Sequence, residues 1–457
     1  MENRKKVIRN GKVVFPDQIL EISLLIADGK IAAILEKDAV WERDWEVIDA
    51  SGKIVMPGMI DTHNHMSDPG PFRFREDWYH GSCSAASGGI TTIYDMPLPS
   101  EPATVNPDSL RLKKQTAEAQ SVVDFALWGG LIPSSIPDMK KMHDLGCIGF
   151  KGFMCFATED YPRISDGYLA DGMREAASFQ GLIALHAENA EAADLGCRHY
   201  SKMHCEDEAR FDDARPWWTE YDAIQRSLLF AKMTGTRIEI CHTTICQGME
   251  LLKDAKKKGI SVYVETCPHY LIFDHDILRD KKSFAKCTPP FRSRDNVEKL
   301  WDYIKDGTVD VIGSDHGPFT DEEKLQQHDF WKEYCGFGCN DVVMAAMISE
   351  GVHKRGLSWT RLAELTSANA AKMLGLFPRK GNLMPGADAD IIFIDPDMRW
   401  TYDGSKSFSK TKSVNGPYQG MELRGRVTDT FLRGEHIYGN GELLGKAGLG
   451  KYIKARG

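Results

Sequence analysis

The chain has no apolar run long enough to cross a bilayer, which needs about 20 residues. Its first stretch, MENRKKVIRNGKVV, lacks the apolar core of a secretory signal and passes straight into a strand-like pattern. Cysteine pairs at CxxC spacing are also missing. The 11 cysteines are odd in number and scattered. That excludes a disulfide framework and a structural zinc knuckle, and it fits buried thiols in a reducing compartment. An excess of positive charge is missing too: 57 Lys+Arg face 66 Asp+Glu, the formal net charge is -9, and the densest basic run is only Lys256-Lys257-Lys258. Such a chain is a poor partner for nucleic acid, whose binding rests on phosphate neutralisation. The basic run reads instead as a helix C-terminus, where cations suit the dipole. No Gly-rich nucleotide loop follows the first long strand, no repeat is visible and no segment is of low complexity. A cytoplasmic protein is expected, with no membrane and no nucleic-acid partner.

What is present is 457 residues, 42% hydrophobic and 27% charged, enough for one large domain and a smaller one. Residues 1–56 read as short strands: Val7 to Ile8, Val13 to Phe15, Ile22 to Ile26 and Ile31 to Leu35. Turn signals at Asn10-Gly11, Asp28-Gly29 and Ser51-Gly52 separate them. From residue 57 apolar runs alternate with helical periodicity, the mark of a parallel sheet. Eight strands are predicted: 59–63, 91–95, 125–129, 148–153, 182–186, 237–242, 261–265 and 309–314. Between them lie segments such as Leu251 to Lys258 that suit helices. Eight such repeats favour a closed (β/α)₈ barrel, a TIM barrel, over an open doubly wound sheet. After residue 383 strand character returns, in Ala389 to Ile394 and Thr428 to Leu432. The simplest organisation is a barrel over 57–382 and one discontinuous β-sandwich built from 1–56 and 383–457. Gly404 to Gly425 has little periodicity and reads as loop.

In an α/β barrel the chemistry sits at the C-terminal ends of the strands. The first strand ends in His63 and His65, whose i, i+2 spacing turns both imidazoles to one side of an extended chain. Such a pair alone is as easily a surface feature. The fourth carries Lys151 inside Gly-Phe-Lys-Gly-Phe. Burial disfavours an ammonium, so the neutral amine becomes accessible, and a neutral amine can take up carbon dioxide as a carbamate. Alone, Lys151 reads as a lysine reaching for the barrel mouth. The fifth strand ends in His186, the sixth in His242 and the eighth in Asp315, a residue able to bind a cation and carry a proton or, read alone, to cap a helix. The weight lies in the set: six such residues at the ends of five strands point to a metal site.

The stretches that carry the set are PGMIDTHNH, SGGITTIYDMP, GFKGF, LHAEN, ETCPHYL, KCTPPFRS, GSDHGP, LTSANAAKMLGL and PGADADIIFID. In these the chain resembles the amidohydrolase superfamily, in its cyclic amidohydrolase branch of allantoinases, hydantoinases and dihydroorotases, over nearly its whole length. The resemblance implies two divalent metal ions, usually zinc, with manganese, cobalt or iron compatible with the same ligands. It assigns His63, His65 and Asp315 to one ion and His186 and His242 to the other, with an N6-carboxylated Lys151 as bridge. It further implies that Asp315 moves a proton from the attacking water to the leaving ring nitrogen, that the substrate is a small cyclic ureide, and that the protein is a homo-oligomer, commonly a tetramer.

Within the branch, several positions discriminate. Dihydroorotases carry an arginine two residues after the histidine pair, where this chain has Ser67. D-type hydantoinases carry a tyrosine five residues beyond the bridging lysine, where this chain has Phe156. Allantoinases match best, through the Asp68-Pro69-Gly70 stretch, ETCPHYL, KCTPP and Pro417-Tyr418-Gln419-Gly420. The chain departs from them at Pro99 and in the loop Tyr334 to Cys339. VDFALWGG and MHDLGCIGFK are similar to L-type hydantoinases. The resemblance also offers Phe156, the backbone around Cys287 and Thr288, and Gly336, Phe337 and Gly338 as substrate contacts. His269 and His316 read as supporting groups. A catalytically inactive scaffold relative is the non-enzymatic alternative, and retention of all six residues argues against it.

Overall fold

The computed structural model describes residues 5–42 and 44–454. The outer ends of the terminal segments 1–56 and 383–457 thus lie outside the described residues. Eight parallel strands follow one another in chain order: Met59–Asn64, Ile90–Asp95, Asp124–Leu127 continuing as Gly129–Gly130, Phe150–Phe153, Leu182–His186, Arg237–Ile240, Val262–Thr266 and Val311–Ile312. Backbone bonds from Asp315 N to His63 O (2.9 Å) and from His65 N to His316 O (2.9 Å) tie the eighth strand back to the first. Helices including Trp78–Ser87, Pro107–Gln120, Asp166–Ser178, Trp217–Thr234, Cys246–Lys257 and Arg294–Lys305 cover the outside. The fold is the expected (β/α)₈ barrel.

Where strand limits differ from expectation, side chains are the reason. The sixth strand stops at Ile240 because His242 turns into the left-handed region, at φ 34°. The eighth keeps only Val311–Ile312 as ladder because Ser314 N–H is taken by the Asp61 carboxylate (2.8 Å). The third breaks at Trp128. Its two glycines then press against neighbours: a Cβ on Gly129 would stand 2.9 Å from the Phe150 ring, and one on Gly130 2.7 Å from the Tyr161 hydroxyl. The barrel interior is filled by inward residues of successive strands, among them Ile60, Tyr94, Ala126, Trp128, Leu182, Ala184 and Val311.

The terminal segments build two further sheets. One has seven strands in the order Glu442–Leu443, Glu435–Gly439, Glu422–Leu432, Ile391–Thr401, Ile54–Pro57, Lys12–Val14 and Ile19–Glu21. The other has four: Lys30–Leu35, Ser23–Ala27, Lys6–Arg9 and Glu46–Asp49. Ile8, Val13, Leu24, Ile31, Val55, Ile391, Phe393 and Phe431 form their shared core. Ile19–Glu21 and Glu46–Asp49 are largely exposed, so no apolar run marks them in the sequence. Lys256 and Lys257 do close a helix, and Lys256 Nζ also reaches Asp310 (2.5 Å). Gly404 to Gly425 is mainly irregular but ordered: Ser409 bonds Glu76 and Ser413 Oγ accepts the Gly338 N–H (3.1 Å), fastening it across loops of the barrel mouth.

Candidate metal centre

The first strand is buried along its whole length, and an irregularity in its pairing between Asp61 and Asn64 breaks the alternation set by Ile60 and turns His63 inward at the barrel's C-terminal end. His63 Nδ1 lies 2.8 Å from Glu265 Oε1, an acceptor only, so Nδ1 carries the proton. His65 Nδ1 lies 2.7 Å from the Leu98 carbonyl, so it too is the donor there. The remaining Nε2 atoms of both rings face Asp315 Oδ1, at 3.3 and 3.4 Å. With both imidazoles neutral, three lone pairs converge on one point. That arrangement repels itself unless a cation stands among the three, so the donor set fits a metal ion.

Burial pushes His63 below its ordinary value, and the Lys151 charge adds to this. Burial drives His242 well below its own. Both favour the neutral, ligating form. Burial would raise Asp315, but any facing imidazole that carries a proton lowers it, His63 first and then His65 and His242, which puts it well below the usual carboxylate range. Asp61, beneath, is pushed up to about 6 by burial, against hydrogen bonds from Asn64 and Ser314. It staples the first strand to the eighth through Ser314 N and Oγ.

His186 and His242 stand beside this trio. Their ring centroids are 4.6 Å apart, and His242 is 5.2 Å from His63. His186 Nε2 bonds Glu188 Oε2 (2.7 Å), and its ring also meets the Cys155 thiol. Glu188 is in turn gripped by Arg215, through bonds of 3.0 and 2.6 Å. His242 Nδ1 is buried without a hydrogen-bond partner among the described residues. Lys151 is fully buried on the fourth strand, and its Nζ, 5.1 Å from the Phe153 ring centroid, has no hydrogen-bond partner among the described residues. Below it Glu239 stands close to Glu265, and burial together with the Glu265 charge raises it well above its ordinary value. Two of the candidate ligands, His242 (φ 34°) and Asp315 (φ 51°), have left-handed backbones, a strain of about 1–3 kcal/mol each that clusters at functional sites.

The six residues picked from strand ends therefore share one site. His63, His65 and Asp315 have ligand atoms within 4.8 Å of one another, whereas the ligand atom of His186 groups in that way with Cys155 and Glu188. The other candidates are spread more widely. Phe156 is 61% exposed, beyond the end of the fourth strand. Cys287 is buried, and its thiol turns to Pro289 O (3.7 Å). Thr288 is half-buried just after it. Phe337 is buried between His269 (5.1 Å) and Tyr418 (6.3 Å), with Gly336 N bonded to Lys286 O (2.8 Å) and Gly338 N to Ser413. Burial lowers His269 to about 4, and neither of its ring nitrogens has a hydrogen-bond partner among the described residues. His316 Nδ1 accepts Cys339 N–H (2.9 Å), and its Nε2 faces Glu76 (3.4 Å), so it braces that loop. Sequence reading missed Glu265, Glu188 and Asp61. Each is a carboxylate inside an apolar strand or one turn past a strand's end, the same signal that picked out Lys151.

Known proteins agree with this geometry. The model of the amidohydrolase family matches residues 54–437. L-hydantoinase of Paenarthrobacter aurescens is 35% identical over 453 residues, covering 98% of each chain. Allantoinase of Salmonella choleraesuis is 34% identical over 442 residues, covering 94% of each. The solved L-hydantoinase of Arthrobacter aurescens superposes with a TM-score of 0.94 at 35% identity, covering 98% of this chain and 99% of that one. With a family model spanning most of its length and relatives this similar from end to end, the chain belongs to the amidohydrolase family.

Proposed function

We propose that the protein is a metal-dependent cyclic amide hydrolase that opens the hydantoin ring of allantoin to give allantoate. The observation that carries the hydrolytic reading is the convergence of the His63, His65 and Asp315 lone pairs beside the unpartnered Lys151 amine. His63, His65 and Asp315 would hold one divalent ion, His186 and His242 a second, and Lys151, as its carbamate, would bridge them. Zinc suits this set, and manganese, cobalt or iron are compatible. When bound, such a pair brings a water to ionise near neutral pH and polarises the ring carbonyl. Asp315, ionised at the mouth, takes the proton of the attacking water and delivers it to the departing ring nitrogen. Burial raises the thiols of Cys267, Cys287 and Cys339 well above their ordinary values, which disfavours these three as nucleophiles.

The allantoin assignment rests on the Asp68-Pro69-Gly70 and KCTPP stretches and on the allantoinase relatives. A second reading, a 5-substituted hydantoin as substrate, is favoured by the exposed Phe156, the buried Phe337 and the likeness to L-hydantoinase. A panel of allantoin, 5-alkyl and 5-aryl hydantoins, dihydrouracil and dihydroorotate on metal-reconstituted protein separates them. Allantoin is expected to lead in kcat/KM by about tenfold, or 1.4 kcal/mol of transition-state preference. A lead for an apolar hydantoin would overturn the assignment, and hydrolysis of none would overturn the reaction. Asp315→Asn is expected to keep most of the metal while kcat falls about 10²–10⁴-fold. Near-normal turnover would remove Asp315 from the proton step.

No helix among the described residues is long and apolar enough to cross a membrane. We place the protein in the cytoplasm, in keeping with its 11 free cysteines. A homotetramer follows from the family resemblance, and light scattering would check it.

A further inference from the structure

One buried carboxylate touches both halves of the candidate centre. Glu265 is the next-to-last residue of the seventh strand and is fully buried. Its Oε1 accepts two hydrogen bonds, from His63 Nδ1 (2.8 Å) and from the backbone N–H of His242 (3.0 Å). Its Oε2 accepts the Thr62 hydroxyl (2.6 Å). The first bond fixes which nitrogen of His63 carries the proton and turns the other toward Asp315. The second holds His242 in its left-handed backbone conformation, which sets where that imidazole points. His63 and His242 come from strands 1 and 6, and in the reading above they serve different ions.

Gly313 shows that the space for this carboxylate is kept open. A Cβ there would lie 2.5 Å from Glu265 Oε2 and 2.9 Å from the His63 Cβ. The φ of Gly313 is not left-handed, so its lack of a side chain serves close approach rather than backbone freedom. Glu188 makes the contrast. It bonds His186 alone among the six candidate ligands, and Arg215 neutralises it.

We propose that Glu265 is a positioning residue that couples the two metal subsites, so that its loss loosens both ions. The proposal rests on the two-ion reading of the site. Groups that orient metal ligands typically carry about 10–100-fold in affinity.

The test is titration of chelator-treated protein with Co²⁺, read by bound stoichiometry and by the visible ligand-field bands. Wild type is expected to bind two ions. Glu265→Gln, nearly isosteric, is expected to weaken both by about tenfold or more and to alter the bands of both. Gly313→Ala, which leaves the carboxylate in the sequence but displaces it, is expected to act in the same direction. Glu188→Gln is expected to weaken one ion only. If Glu265→Gln and Gly313→Ala, folded by circular dichroism, weaken one ion only or neither, the coupling is overturned. If Glu265→Gln fails to fold, Gly313→Ala decides by the same readout. If wild type binds no Co²⁺, the metal-centre reading itself falls, an outcome distinct from failure of the coupling.

Discussion

Lys151 and Lys380 are both buried, yet the protein surrounds them in opposite ways. Lys380 lies near the start of the third barrel strand, where that strand meets the terminal sheets. Its Nζ bonds Asp124 (2.8 Å) and Asp390 (2.6 Å), with Asp388 at 3.5 Å, while Arg433 also bonds Asp124. Lys151 lies at the other end of the barrel, and among the described residues its Nζ has no oxygen or nitrogen acceptor. Position at the mouth does not explain the difference. Lys113 is also fully buried there, and it bonds both Asp95 and the Met96 carbonyl (2.7 Å). A buried cation is tolerable when it is paired and costly when it is not. The paired lysines are structural. Under the proposed function, the unpaired one stands where the protein would give up stability for chemistry.

The sharpest way to break this contrast is to remove the odd lysine. Lys151→Met is expected to abolish turnover and strip the metal. Lys151→Ala should do the same and regain part of its activity with a small carboxylic acid, which replaces the bridge. In the metal-free state, however, Lys151→Met should stabilise the fold, because a buried unsatisfied polar group costs about 1–3 kcal/mol. Thermal unfolding of chelated wild type and variant reads this directly. A lowered Tm would show that the Lys151 amine has a structural partner after all.

Lys380→Met should go the other way. It leaves Asp124 and Asp390 buried with Arg433 as the main remaining cation, and breaking such a pair costs about 3–5 kcal/mol. Metal content per folded molecule should be unchanged. A variant as stable as wild type would mean that the network is replaceable by packing and that pairing is no guide to role.

The contrast also marks what the sequence makes legible. The candidate ligands could be read because each ends an apolar run, so a polar residue there is locally anomalous. Lys151 stood out by the same logic. What could not be read is which anomalies are satisfied. Lys380 and Asp124 are 256 positions apart, and Glu265 is 202 from His63. Nothing local pairs them. The strand Glu422–Leu432 was seen only from residue 428, because arginines and a glutamate fill the outward positions of its first half and interrupt the apolar run. Phe156 follows the fourth strand closely in sequence, yet it points to solvent once that strand ends at Phe153.

The smallest expected effect is the pH response of the paired cluster, and its sign can be worked out. Burial would raise Asp124, but Lys380 and Arg433 hold it below its ordinary 3.8. Its contribution is therefore complete above pH 3.8 and is lost as pH falls through the depressed folded value. Asp390 runs oppositely: burial outweighs Lys380 and raises it, so its contribution is greatest below 3.8 and fades as pH rises. Burial also acts against the charge on Lys380, yet Asp390 and Asp124 raise it above 10.5, so its share persists until alkaline pH passes that value. The two aspartates partly cancel in acid, which keeps the acid slope modest beside the full cost of losing the lysine. Lys380→Met removes the largest charge depressing Asp124. Its Tm should therefore decline less steeply than that of wild type below pH 3.8, and it should lack the wild-type loss above pH 10.5. Parallel Tm curves for the two proteins at both ends would mean that Lys380 is not what holds Asp124 ionised. The division between paired and unpaired lysines would then rest on Lys113 and on Lys286 and Lys324, which are buried on backbone carbonyls.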